Sequence, residues 1–266
     1  MIKDIKMSLL FFFGIASFFT MAISYAQVKE SNNNIWLHYF GKNMITEKFS
    51  FSFEATMRFA NGFSEKQQYF IRPSVDYQFT KKFMGGIGFS HYNTYSYGNP
   101  AMNKISIPEN HFWIQGTFVH NSGQLKITHR LRDEFRYVGV PAMQSNGNLE
   151  IDHYDYRSRI RYMILFNYPL IKNEEVTKLF ALFGDEVFMN LGSNAGKTFL
   201  NQNRLIGGVG YNFDKNHQIQ LSYIHQNIWN YKNTFQESNP TVRLTYVTNF
   251  DWLKTKNSSK SKACLK

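Results

Sequence analysis

The chain has 266 residues, a formal net charge of +11 and 17% aromatic residues, among them 26 Phe and 16 Tyr. Its mean hydropathy is −0.40, and beyond the N-terminus no segment approaches the ~20 apolar residues of a spanning helix, which excludes a helical membrane bundle. The positive charge does not imply nucleic acid, because Lys254, Lys256, Lys260, Lys262 and Lys266 all crowd the C-terminal end and little excess remains for the body.

The first element is a secretory signal. Lys3 and Lys6 form a positive start, Ser8 to Ile23 an apolar stretch, and Ser24-Tyr25-Ala26 a small-x-small cleavage site, so cleavage is expected after Ala26. Residues 1–26 are thus read as signal peptide, 27–252 as the folded body and 253–266 as a basic periplasmic tail. The single cysteine, Cys264, falls in that tail, so the body folds without a disulfide.

From Asn33 onward the sequence reads as consecutive strands at 33–41, 48–59, 67–79, 83–93, 110–120, 124–137, 151–169, 178–190, 199–212, 217–228 and 240–250. Most exceed the usual strand of about 5–6 residues and match the roughly 9–11 of a transmembrane β-strand. Short polar turns at 80–82, 121–123 and 214–216 alternate with long loops at 94–109, 138–150, 191–198 and 229–239. That alternation is the pattern of an outer-membrane barrel with periplasmic turns and extracellular loops.

Side-chain parity carries the same message. Arg130, Arg132, Glu134 and Arg136 share one face of their strand, opposite Leu131, Phe135 and Tyr137. Asp155, Arg157, Arg159 and Arg161 do the same opposite Tyr154, Tyr156, Ile160 and Tyr162. Period two means strand. In a soluble barrel the arginines would face water and the apolar face would have to fill a very large interior. In a membrane the arginines must face the lumen, because one Arg on the lipid face costs about 2–4 kcal/mol at midplane. The expected fold is therefore all-β, an antiparallel transmembrane β-barrel of about 10 strands, with 12 the next count; the segment at 33–41 is then either an N-terminal piece covering the seam or the partner of a further strand in 94–109.

Several ordered stretches carry a family likeness. They are Asn34-Ile-Trp36, His129-Arg-Leu-Arg-Asp-Glu-Phe-Arg136, Tyr156-Arg-Ser-Arg-Ile-Arg-Tyr162 running into Asn167-Tyr-Pro169, Gly184-Asp-Glu-Val-Phe-Met-Asn190, Asn201-Gln-Asn-Arg204 and Gly207-Gly-Val-Gly-Tyr211. Together they resemble domain of unknown function 2490, a family of predicted outer-membrane barrels of Gram-negative bacteria. The resemblance spans roughly 33–250. It implies the fold and brings no activity and no functional residues.

The candidate site is the inward charged face: Arg130, Arg132, Glu134, Arg136, Asp155, Arg157, Arg159, Arg161, Glu186 and Arg204, with Glu54, Arg58, Arg72, Asp76 and Gln202 on the same parity. Arginine rings select anions, whereas the plain alternative is a structural ladder that fills a narrow lumen. His120-Asn-Ser122 has the spacing of a histidine-activated serine but sits at a tight turn without an orienting acid. Asp185 and Glu186 are adjacent on a strand and so face opposite ways. His91, His111, His153 and His225 lack metal-ligand spacing, and Gly85–Gly88 and Gly207–Gly210 precede no helix, so neither is a phosphate loop. Tyr154, Tyr156, Tyr162, Tyr168, Trp113 and Trp252 suit aromatic girdles. The sequence thus leads to a non-enzymatic barrel in the outer membrane, without metal or cofactor. Its partners would be lipid and small anionic solutes, and the runner-up is a membrane-embedded lipid hydrolase or acyl-transfer enzyme.

Overall fold

The computed structural model describes residues 28–173 and 176–252; the expected signal peptide and basic tail, with Cys264, lie outside the described residues. Every named element is a strand. They are β1 (Val28–Glu30), β2 (Asn34–Met44), β3 (Phe49–Ala60), β4 (Glu65–Gln78), β5 (Phe83–Thr94) and β6 (Ile107–Ser122) in the first half. The second half holds β7 (Leu125–Met143), β8 (Leu149–Asn173), β9 (Val176–Leu191), β10 (Leu200–Asn212), β11 (His217–Trp229) and β12 (Phe235–Asp251).

From β2 to β12 each strand pairs antiparallel with the next. The ring closes where β12 meets β2 in parallel, from Thr241↔Asn34 to Asp251↔Met44. The barrel therefore has eleven strands, between the two counts expected from sequence. The segment at 33–41 is a full wall strand rather than a cover. With an odd number of alternating strands, the first and last must run the same way, so one parallel seam is unavoidable. Closure leaves no open sheet edge. β1 continues the line of β2 along β12, with Val28↔Phe235. The interruption between them is bridged by Asn32, whose backbone N–H donates to Asn239 Oδ1 at 2.8 Å.

β3 shows why these residues form this wall. Ser50, Ser52 and Thr56 are buried, while Phe49 and Met57, on the alternate parity, are exposed. The same inversion recurs around the ring, with Ile87, Ile114, Leu131 and Leu221 more than half exposed while Glu134, Arg132 and Gln226 are buried. Around most of the ring apolar side chains point out and polar ones in, as the parity of the arginines requires.

Two sequence readings change. Strands β7 and β8 continue to Met143 and resume at Leu149, so most of the expected loop at 138–150 is a projecting hairpin. Gly139 and Pro141 look like loop residues, yet Pro141 sits at a register shift in the ladder, where a missing N–H is tolerated. Trp113 is not in a girdle. It shares inward parity with His111 and Gln115, is buried, and donates from Nε1 to Ser90 Oγ at 2.9 Å. Tyr154, Tyr156, Tyr162, Tyr168 and Trp252 are exposed on the outer face as expected.

Candidate functional site

The lumen is built from rows of cross-strand neighbours. One row holds His111, Arg136 and Arg157; the next Trp113, Glu134 and Arg159; the next Gln115, Arg132, Arg161 and Phe188; the last Arg130, Met163, Glu186 and Arg204. Arg136 opposite Arg157 and Arg132 opposite Arg161 are like charges in direct register, an arrangement that destabilises a sheet on its own. The carboxylates resolve it, Glu134 from its place opposite Arg159 and both Glu134 and Glu186 by reaching diagonally to Arg161. Glu134 Oε2 accepts from Arg159 Nε and Nη2 at 2.9 and 2.6 Å, and its Oε1 accepts from Arg161 Nη1 at 2.7 Å. Glu186 Oε1 accepts from Arg130 at 2.6 Å and from Arg161 at 2.7 Å, with Arg204 Nη1 at 3.5 Å from its other oxygen.

The remaining expected residues divide. Arg132 bonds Gln115 Oε1 at 2.8 Å, stacks on Trp113 at 4.1 Å and stands 3.8 Å from Glu134. Arg136 pairs with Glu109 at 2.8 Å. Asp155 and Arg157 lie at the loop end, 3.5 Å apart, where Arg157 stacks on Tyr231 at 4.2 Å. Across the lumen Arg72 pairs with Glu54 at 2.6 Å and bonds Tyr92, while His38 bonds the other Glu54 oxygen at 3.1 Å. Asp76 accepts from Ser52 Oγ at 2.6 Å.

The sequence reading did not single out Glu109, His38, Trp36 or Arg243 as site candidates, although it put Arg243, with every other arginine, on the charged face. Glu109 shares parity with His111 and Trp113 and was hidden by the loop assigned to 94–109. The other three depend on the seam, which joins opposite ends of the chain.

These side chains surround one cavity of about 790 Å³, and all ten arginines of the chain line it. The carboxylates on its wall are Glu54, Asp76, Glu109 and Glu186, with Glu134 enclosed in the network behind them. Positive charge is in clear excess. On the β8–β11 side Phe180, Leu182, Ile206, Ile224 and Leu165 fill the lumen towards the short turns, in one apolar cluster with Trp36 of β2. Along β2–β5 the cavity reaches Lys42, Asp76 and Met84.

At the other mouth the 95–106 loop folds inward, and Met102, Asn103 and Lys104 line the cavity. Tyr97 anchors it by donating to Glu237 Oε2 at 2.8 Å, and burial next to that carboxylate pushes the phenol well up. Gly98 N–H donates to Glu65 Oε2 at 2.8 Å, the main reason the Glu65 carboxyl is held below its ordinary value.

The other motifs resolve plainly. No hydrogen bond joins His120 to Ser122 among the described residues, and His120 stacks on His129 at 5.4 Å. Glu186 faces in and Asp185 out, where Asn203 donates to it at 2.6 Å. One contact was not foreseen: on the outer face Ser238 Oγ lies 3.2 Å from His225 Nε2.

Residues 33–237 match the family described as "Protein of unknown function (DUF2490)". The chain belongs to this family. The match covers most of the barrel wall, from the seam strand through the start of β12. No curated protein gives a significant match to the chain. What DUF2490 membership adds is the fold's kinship; the chemistry has to come from the cavity.

Proposed function

We propose that this DUF2490 barrel sits in the outer membrane and that its lumen binds small anionic solutes and passes them through a narrow path. The observation that carries this reading is the placement of every arginine on one cavity with too few carboxylates to neutralise them. Fixed guanidinium groups with low-dielectric walls concentrate anions and repel cations. The membrane setting is supported by the outer face. Soluble monomers rarely expose contiguous apolar patches beyond a few hundred Å², and here apolar side chains ring the barrel, flanked by exposed tyrosines. The N-terminal secretion signal read from the sequence gives the route.

The test is current across a planar bilayer holding the refolded barrel, under a chloride gradient. The expected reversal potential favours anions and moves towards zero selectivity in Arg157→Ala/Arg159→Ala. Equal passage of potassium and chloride in the wild type would end the reading.

A second reading, acyl-ester hydrolysis at the outer surface, rests on the Ser238–His225 contact, which has nucleophile-to-base distance. Its test is release of p-nitrophenol from a medium-chain ester in detergent micelles. Turnover lost in Ser238→Ala would support it, and a silent wild type would remove it.

A further inference from the structure

The lumen has two unlike walls. On β7–β9 the guanidinium groups of Arg130, Arg159 and Arg161 are each within 2.7 Å of a carboxylate oxygen. At the parallel seam they are not. Arg243 on β12 is the register partner of Trp36 on β2, and Trp36 is the partner of Arg58 on β3. All three face inward and line the cavity. Arg58 donates only to the neutral Gln68, at 2.5 Å, and stacks on Trp36 with its Cζ 4.0 Å from the ring. Arg243 makes no ion pair with a described residue, and its Nε is without a hydrogen-bond partner. From across the lumen Arg204 comes over the same Trp36 ring, at 5.0 Å. Its carboxylate, Glu186, stands 3.5 Å away and already holds Arg130 and Arg161 more closely.

We infer that this seam wall, formed by Arg58, Arg204 and Arg243 around Trp36, is a binding subsite for a phosphoryl dianion. The inference rests on the reading that the lumen takes anions, and deepens it by locating the site and naming the ligand. Three features select the ligand class. Neither Arg58 nor Arg243 has a carboxylate at ion-pair distance and Arg204 has only a shared one, so this wall presents a local excess of positive charge. A phosphate monoester carries about −1.5 to −2 at neutral pH, which a single carboxylate or a halide does not supply. A guanidinium presents its donors in a planar fork, and that fork fits two oxygens of one phosphoryl group. Beside Arg204 in register, Gln226 keeps its buried Oε1 without a donor. An occupant bearing a hydroxyl, such as monohydrogen phosphate or a phosphorylated polyol with a free hydroxyl, would satisfy it.

The test is calorimetric titration of inorganic phosphate into the full-length barrel in detergent micelles, with acetate as the monoanion control. Wild type is compared with Arg58→Gln and Arg58→Gln/Arg243→Gln, each checked for the folded, heat-modifiable gel mobility. Removing these arginines relieves repulsion and leaves no carboxylate unpaired, so both variants should fold. The expected result is phosphate binding well above acetate and weakened roughly tenfold or more per arginine, the scale of one charge-assisted hydrogen bond. Equal phosphate affinity in wild type and the double variant would overturn the subsite. So would a wild type that binds no phosphate. Bilayer reversal potentials separate the two levels: if they still favour anions, only the subsite has failed; if they do not, the anion-taking lumen has failed with it.

Discussion

Replacing Glu134 by Gln is the sharpest test of the arginine network. The side chain is wholly buried and keeps its shape in the variant, yet the charge that holds Arg159 and Arg161 is gone. The contacts at 2.6 and 2.7 Å are short, charge-assisted hydrogen bonds, each contributing about 1.5–3 kcal/mol. Taken as point charges, two groups about 4 Å apart at an effective dielectric of about 20 interact by about 4 kcal/mol. These figures overlap and do not add. Breaking a buried ion network from one side costs about 3–5 kcal/mol, and that range is the expected loss. The assay is reversible urea unfolding in micelles, followed by tryptophan emission. Pairing the change with Arg159→Gln in a double-mutant cycle isolates the coupling, which should reach 1 kcal/mol or more for groups in direct contact. A Glu134→Gln barrel within about 1 kcal/mol of wild type, with no coupling to Arg159, would refute the idea that this network holds the lumen's shape.

Leu221 is exposed on the outer face, so Leu221→Arg should lower stability by about 2–4 kcal/mol in lipid vesicles and much less in a soluble setting; unchanged folding into vesicles would count against the membrane placement. A Cβ on Gly208 would run into the Leu221 carbonyl and Ser222 of the neighbouring strand, so Gly208→Ala should cost about 1–3 kcal/mol and show as a lower unfolding midpoint. Glu65 has its carboxyl depressed chiefly by the Gly98 N–H. A depressed carboxyl stabilises above its unfolded value and loses that contribution as pH falls through the folded value. Hydrogen exchange at Gly98 should therefore accelerate below the ordinary glutamate range, and Glu65→Gln should remove that pH response.

Much of the wall was legible because period-two alternation is a local property. Arg130, Arg132, Glu134 and Arg136 declare their face within seven residues, and the structure puts all four inside. How they pair was less legible. Parity shows the face and not the partner: the register sets Glu134 against Arg159 but Arg132 against Arg161, so Arg161 is held diagonally by Glu134 and Glu186. Trp113 was misplaced because an aromatic residue fits a girdle by type; only its parity with His111 and Gln115 shows that it faces in. The ring closure left no local signal at all. Arg243 and Trp36 lie at opposite ends of the chain, and no window of sequence contains both.

That closure is also what makes the seam wall unlike the rest. In a ring of ten strands lacking β2, β12 would pair with β3, and Arg243 and Arg58 would face each other across one inter-strand gap. Like charges so placed destabilise the sheet. The eleventh strand inserts Trp36 between them, so the two arginines stand two gaps apart, about 9–10 Å at the backbone. An aromatic face can receive a guanidinium without neutralising it, which is how Arg58 and Arg204 are held over Trp36. On β7–β9 Glu134 and Glu186 hold Arg130, Arg159 and Arg161; at the seam Arg58 and Arg243 have Trp36 and neutral Gln and Ser side chains beside them, while Glu54 is taken by Arg72 and His38. The first arrangement clamps Arg130, Arg159 and Arg161 on shared carboxylates and shapes the barrel. The second leaves charge to be met by whatever enters the lumen.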